Sequence, residues 1–160
     1  MDKHVLSVLV ENQPGVLSRV AGLFSRRGYN IDSFTAGGTE DERLTRMTIV
    51  LHGDHQALEQ IKKQLSKLID VVKITELKPQ EAVYRELALV KVTADESTRA
   101  SILEVVDIFR GKVIDVASEH LTVEMTGDHD KVLAFIDMMK GYGIKEIVRT
   151  GMTALGRWSN

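Results

Sequence analysis

The chain has 160 residues, with 21 Lys and Arg against 23 Asp and Glu, a net charge of −2, 43% hydrophobic residues and no Cys. The length allows one ordinary domain or two small ones. The composition excludes a disulfide scaffold, Cys-ligated zinc, an iron–sulfur cluster and a Cys nucleophile, and the near-neutral charge argues against a dominant phosphate-binding surface.

His4 to Val10 is rich in β-branched residues and predicts a strand, with Leu6, Val8 and Val10 on one face and Val5 and Leu9 on the other. Glu11-Asn12-Gln13-Pro14-Gly15 then breaks the pattern with turn residues. From Val16 the period becomes helical, with Leu17, Val20, Ala21 and Phe24 predicted as the buried stripe and Gly28 as the terminator. Tyr29 to Ala36 reads as a second strand, Gly37 to Arg43 as a polar turn, and Leu44 to Leu51 as a third strand. Asp54 can cap a second helix carrying Leu58, Ile61, Leu65 and Leu68, and Val71 to Leu77 reads as a fourth strand.

Lys78-Pro79-Gln80-Glu81 is the least apolar stretch near the middle of the chain. It divides the sequence into residues 1–77, a linker over 78–84 and residues 85–160. The second half repeats the order of the first. Arg85 to Thr93 is a strand, and Ile102, Val105, Val106 and Phe109 mark a helix. Lys112 to Ala117 and Leu121 to Thr126 are strands, Val132, Phe135, Ile136 and Met139 mark another helix, and Ile144 to Arg149 is a last strand. Gly28-Tyr29-Asn30-Ile31-Asp32 is echoed by Gly111-Lys112-Val113-Ile114-Asp115, and Gly53-Asp54-His55 by Gly127-Asp128-His129. The fold class is therefore α+β, with two ferredoxin-like βαββαβ units, each an antiparallel sheet with both helices on one face. The other face is apolar too and needs a cover, which predicts burial by the sister unit or by another chain, with a homodimer expected.

The search for catalytic chemistry is largely negative. No P-loop, G-x-G-x-x-G, G-x-S-x-G or H-E-x-x-H occurs. His52 and His55 are loosely metal-like, but His129 repeats the position of His55 behind a capping Gly-Asp, which favours helix starts. The carboxylate pairs Asp41-Glu42, Asp95-Glu96 and Asp128/Asp130 read as turn and helix-start residues. Aromatics make up only 5%, too few for a base-stacking sheet, so no nucleic-acid role is expected. No apolar run reaches membrane-spanning length, and Met1-Asp2-Lys3-His4 opens a strand pattern rather than a signal peptide, which predicts a cytoplasmic protein with no membrane association.

The informative segment is Glu11 to Ser18. Pro14 stiffens the turn, and Gly15 lets backbone N–H groups approach a ligand at a helix N-terminus, where an anion is favoured. Asn12 can both donate and accept, which suits an α-amino, α-carboxylate zwitterion. By itself this segment also reads as an ordinary capped turn, and Asn30 as a turn residue.

E-N-Q-P-G-V-L-S-R-V followed by L-F-S-R-R-G-Y-N-I-D-S resembles the start of an ACT domain, a βαββαβ amino-acid sensor. With R-M-T-I, L-S-K-L-I-D-V-V-K-I-T-E-L and I-F-R-G-K-V-I-D-V, nearly the whole chain resembles the small regulatory subunit of acetolactate (acetohydroxyacid) synthase. The resemblance implies a non-catalytic subunit that binds branched-chain amino acids, chiefly valine. Such a subunit imposes feedback inhibition on, and activates, a separate large subunit in valine, leucine and isoleucine biosynthesis. Thiamine diphosphate, FAD and magnesium are implied on that large subunit, with no cofactor on this chain. It further implies homodimers through the ACT domains with effector between two chains. One chain would supply Asn12, Pro14, Gly15, Val16, Leu17 and Ser18, the other Asn30 and Ile31. In the second half Ala94-Asp95-Glu96-Ser97-Thr98 has no Gly and Val113 stands where Asn30 does, so a second effector site is not expected. That half is expected to be the scaffold that activates the large subunit, and Gly151 to Asn160, with Trp158, reads as part of that interface or as a disordered end. The other readings are a free-standing ACT sensor of another enzyme and a small enzyme on a ferredoxin-like fold.

Overall fold

The computed structural model describes residues 2–158. In chain order its elements are β1 (Asp2–Glu11), α1 (Val16–Arg26), β2 (Ile31–Gly38), β3 (Leu44–Gly53), α2 (His55–Ser66), β4 (Val71–Glu76), β5 (Ala82–Thr93), α3 (Arg99–Ile108), β6 (Lys112–Val116), β7 (His120–Gly127), α4 (His129–Lys140) and β8 (Ile144–Gly156). They form two four-stranded sheets with strand orders β2-β3-β1-β4 and β6-β7-β5-β8, which is the predicted βαββαβ order twice. Among the described residues no helix is long and apolar enough to cross a membrane.

The chain divides into two compact units. One runs through Val83 and takes in the stretch from Met152 on; the other is Tyr84–Gly151. In the first unit, alternation along β1 and β3 places Leu6, Val8, Val10, Met47, Ile49 and Leu51 on one sheet face. They pack against Val16, Val20, Leu23 and Phe24 of α1 and Leu58, Ile61 and Leu65 of α2. The α1 stripe is thus rotated from the predicted one. Leu23 takes the inward place, while Leu17 is 52% exposed and Ala21 is also exposed. Apolar residues at Val16, Leu17, Val20, Ala21, Leu23 and Phe24 make two overlapping stripes, and only contact with the sheet selects between them.

In the second unit Ala88, Val90, Val92, Leu121, Val123 and Met125 form the sheet side of the core, facing Ile102, Val105, Val106, Val132, Phe135, Ile136 and Met139. The rings of Phe109 and Phe135 meet edge to face at 5.6 Å. The Gly-Asp-His repeat does what its chemistry predicts. Asp54 accepts the Ala57 N–H at 2.7 Å and Asp128 the Lys131 N–H at 2.9 Å, each capping a helix.

The Gly28/Gly111 echo is not a structural equivalence. Gly28 leaves α1 at φ +71°, whereas the chain leaves α3 through Arg110 at φ +59°, one residue before Gly111. The Tyr29 N–H returns to the Phe24 carbonyl as the Gly111 N–H returns to that of Val106, so Gly28 corresponds to Arg110.

Two further expectations change. Gly151 to Gly156 is neither loose nor free, because it continues β8; the terminal residues 159 and 160 lie outside the described residues, as does Met1. The second face of the first sheet is covered in part by the chain itself. Val5, Ser7, Thr48 and Val50 are buried there, as are Leu77, Ala82, Met152 and Ala154 of the same unit. The Met152 carbonyl accepts from Thr35 Oγ1, and its N–H donates to Ser33 Oγ, both at 3.4 Å. Ser33 and Thr35 pair with Val50 and Thr48, which fixes them on that face.

Candidate functional site

The loop from β1 to α1 is held at its start by two backbone bonds. The Glu11 N–H donates to the Asp70 carbonyl at 2.8 Å, and the Asn12 N–H to the Arg43 carbonyl at 2.7 Å. The Asn12 side chain is partly committed, since its Nδ2 donates to the Glu42 carbonyl at 3.2 Å. Its amide oxygen is the group left to accept from a ligand ammonium.

The β2–β3 turn that receives Asn12 is itself ordered by charge. Asp41 takes two bonds from the Arg43 guanidinium, at 3.0 and 2.8 Å, and one from the Arg43 N–H at 3.0 Å. These bonds, the guanidinium's foremost, hold the Asp41 carboxyl down at about 2.

Pro14 leads into Gly15, which is the N-cap of α1 at φ +83°, ψ −5°, a left-handed conformation. No side chain caps this helix and its first turn holds no acidic residue. The first helical bond runs from the Arg19 N–H to the Gly15 carbonyl at 3.0 Å. The earlier N–H groups of the turn, at Leu17 and Ser18, therefore face outward at the positive end of the helix dipole. Val16 turns its side chain into the core, 3% exposed, whereas Leu17 is half exposed at the same turn. Of the two apolar residues assigned to this loop, only Leu17 offers its side chain to a ligand.

Asn30 and Ile31 lie past the other end of α1. Asn30 is exposed, and Ile31 is half buried opposite Leu51 at the start of β2. A bulge after Ile31 leaves Asp32 out of the ladder, where it meets His52. The 11 residues of α1 span about 16 Å. Within one chain the Asn12–Ser18 loop and the Asn30–Ile31 pair lie at opposite ends of α1.

Sequence reasoning missed the loop's neighbours. Arg19 donates Nε–H to Asp70 Oδ2 at 2.7 Å. Its Nη1 stands 2.9 Å from where a Cβ on Gly15 would lie. Arg19 follows Gly15 by one helical turn, which was a usable signal. Asp70 and Glu42 come from distant parts of the chain and left none.

The corresponding loop of the second unit is closed by its own side chain. Asp95 Oδ1 accepts the N–H groups of Ser97 and Thr98 at 2.8 and 3.0 Å and the Ser97 hydroxyl at 2.6 Å. These bonds order the turn before α3, whose N-cap, Thr98, sits at φ −108° where Gly15 is left-handed, with no side-chain cap bond of its own. Elsewhere in that unit, Glu86 is buried between the Arg149 guanidinium at 2.6 Å and His129 Nδ1 at 3.0 Å. Among the described residues no three His, Cys, Asp or Glu side chains converge as a metal-binding group.

Two family models match the chain. One, described as the small subunit-like ACT domain of AHAS, covers residues 6–73; the other, described as the small subunit of acetolactate synthase, covers residues 85–158. A probable acetolactate synthase small subunit of Methanothermobacter thermautotrophicus is 53% identical over 99% of this chain and 95% of its own length. The acetolactate synthase small subunit of Mycolicibacterium smegmatis is 52% identical over 96% of this chain and 91% of its own. The crystal structure of the acetolactate synthase small subunit from Thermotoga maritima superposes with a TM-score of 0.93 at 46% identity, covering 100% of both chains.

Proposed function

The chain belongs to the acetolactate synthase small-subunit family, and from that premise we propose that it senses branched-chain amino acids, valine foremost, for a separate catalytic large subunit. Bound effector inhibits the large subunit, and the effector-free chain activates it. The thiamine diphosphate, FAD and magnesium of the reaction belong to that partner; this chain contributes regulation and no catalytic group.

The observation that carries the reading is the uncapped start of α1 at left-handed Gly15. Outward N–H groups at a helix N-terminus suit the effector carboxylate. The oxygen of Asn12 suits its ammonium, and Leu17 its branched side chain. In the second unit Thr98 at φ −108° stands where Gly15 is left-handed, and Asp95 fills the turn before it, which supports one sensing site per chain rather than two.

The separation of Asn30 and Ile31 from the loop favours a homodimer in which each completes the partner's site. By symmetry, two equivalent sites form. Effector that bridges two chains binds one arrangement of the pair better than another, and that difference is what the large subunit reads. A tenfold effect needs about 1.4 kcal/mol of differential affinity.

The test is calorimetric titration of the purified chain with valine, leucine and isoleucine, repeated with the large subunit while acetolactate formation is followed. Saturable valine binding, a higher basal rate with the chain present and its suppression by valine are the expected results. Binding without any effect on the large subunit would point instead to a free-standing sensor of another enzyme. No binding would remove the sensing role.

A further inference from the structure

Arg19 brings a positive charge to a place that already has one. A helix N-terminus carries about half a positive charge, and a cation in the first turn is unfavourable there. The first turn of α1 has no acidic residue and no side-chain cap to offset it. The guanidinium nevertheless lies over Gly15, close enough that a Cβ at that position would come within 2.9 Å of Nη1.

Asp70 holds it there. The Asp70 side chain is 10% exposed and takes Nε–H of Arg19, while its carbonyl takes the Glu11 N–H at 2.8 Å. One residue thus fixes both ends of the loop. The Arg19 side chain is 48% exposed, so its remaining N–H groups can be reached from solvent. Asp70 engages the guanidinium through Nε, which leaves the terminal nitrogens for a ligand, with Nη1 beside Gly15.

The geometry points to Arg19 as a specificity-determining residue of the effector loop: with the outward amides of α1 it receives the carboxylate of the bound amino acid, and Asp70 holds it in position. This rests on the amino-acid-sensing reading above and adds the group that makes the free carboxylate obligatory. The fork of a guanidinium can serve Asp70 through Nε and a ligand through its terminal nitrogens, which a Lys ammonium cannot do in the same geometry.

The experiment compares L-valine with L-valinamide, which keeps the ammonium and side chain but has no carboxylate, on the unaltered chain and on Arg19→Gln. Arg19→Gln is expected to raise the Kd for valine about tenfold or more. The amide should bind the unaltered chain weakly and lose little further affinity in the variant. Loss of valine and valinamide affinity in equal proportion, or an unchanged Kd for valine, would overturn the assignment. If Arg19→Gln lowers the melting temperature enough to obscure binding, Arg19→Lys carries the same comparison with the charge retained. There, selective loss of valine supports the assignment, and equal loss or no loss overturns it. Failure of the unaltered chain to bind any of the three branched-chain amino acids would overturn the sensing reading and this inference together; binding that ignores Arg19 would overturn this inference alone.

Discussion

The backbone N–H of Asn12 donates to the carbonyl of Arg43 at 2.7 Å, which fastens the loop after β1 to the turn that opens β3. The order of that turn depends on Asp41, whose carboxylate holds the Arg43 side chain and N–H together. Its carboxyl is depressed to about 2 from 3.8. A depressed carboxyl contributes above its unfolded value and loses that contribution as pH falls through the folded one. The Asp41 carboxyl, followed by NMR, should therefore titrate near pH 2, with the Arg43 amide shifting alongside it. A midpoint near the ordinary carboxylate value would mean that the Asp41–Arg43 contact does not persist in solution.

Gly15→Asp should remove valine inhibition while leaving the fold intact. A non-Gly residue at φ +83° costs about 1–2 kcal/mol, which a folded domain can tolerate. The new carboxylate would lie beside Arg19 and compete with the effector's own. Normal valine inhibition of the large subunit reconstituted with this variant would rule out the loop as the effector site. Asn30→His should likewise weaken valine binding, and an unchanged calorimetric affinity would remove Asn30 from the site.

Met152 is 6% exposed on the sheet face opposite the helices of the first unit, where its backbone meets Ser33 and Thr35. Met152→Ala should destabilise that unit by about 2 kcal/mol, the low end for a buried Met. Denaturant unfolding would detect it as a lower midpoint with an unchanged slope. A change below a few tenths of a kcal/mol would show that the end of β8 does not cover that face.

Glu86 and Arg149 should respond unequally to mutation. The Glu86 side chain is 1% exposed and that of Arg149 is 32% exposed. Arg149→Met strands the carboxylate with His129 alone and should cost about 3–5 kcal/mol, as when one partner of a buried pair is removed. Glu86→Gln leaves an arginine that can turn to water, and should cost less. The reverse order in unfolding experiments would contradict the buried-carboxylate account.

Much of the fold was legible because it rests on local patterns. Alternation marked β1 and β3, and Asp54 and Asp128 marked the starts of α2 and α4. What failed needed information from elsewhere in the chain. Leu17 and Leu23 are equally apolar, and only packing against the sheet decided that Leu23 turns inward. The end of β8, which begins and ends in glycine, reads as an interface segment or a disordered end, and it becomes strand because the first unit presents a face for Met152 and Ala154. Asn12, Gly15 and Asn30 are candidates through a family resemblance alone, whereas the Arg19–Asp70 contact joins residues 51 positions apart and carries no local signature.

In the proposed homodimer each effector site takes Asn12–Ser18 from one chain and Asn30–Ile31 from the other. Mixing the Gly15→Asp and Asn30→His variants under conditions of subunit exchange tests it most directly. In a mixed dimer one site carries both lesions and the other carries none. Calorimetry of the equimolar mixture should then recover about one quarter of the unaltered chain's valine sites at normal affinity, since half the dimers are mixed and each holds one intact site. No recovery, with both variants folded and exchanging, would contradict a site shared between chains.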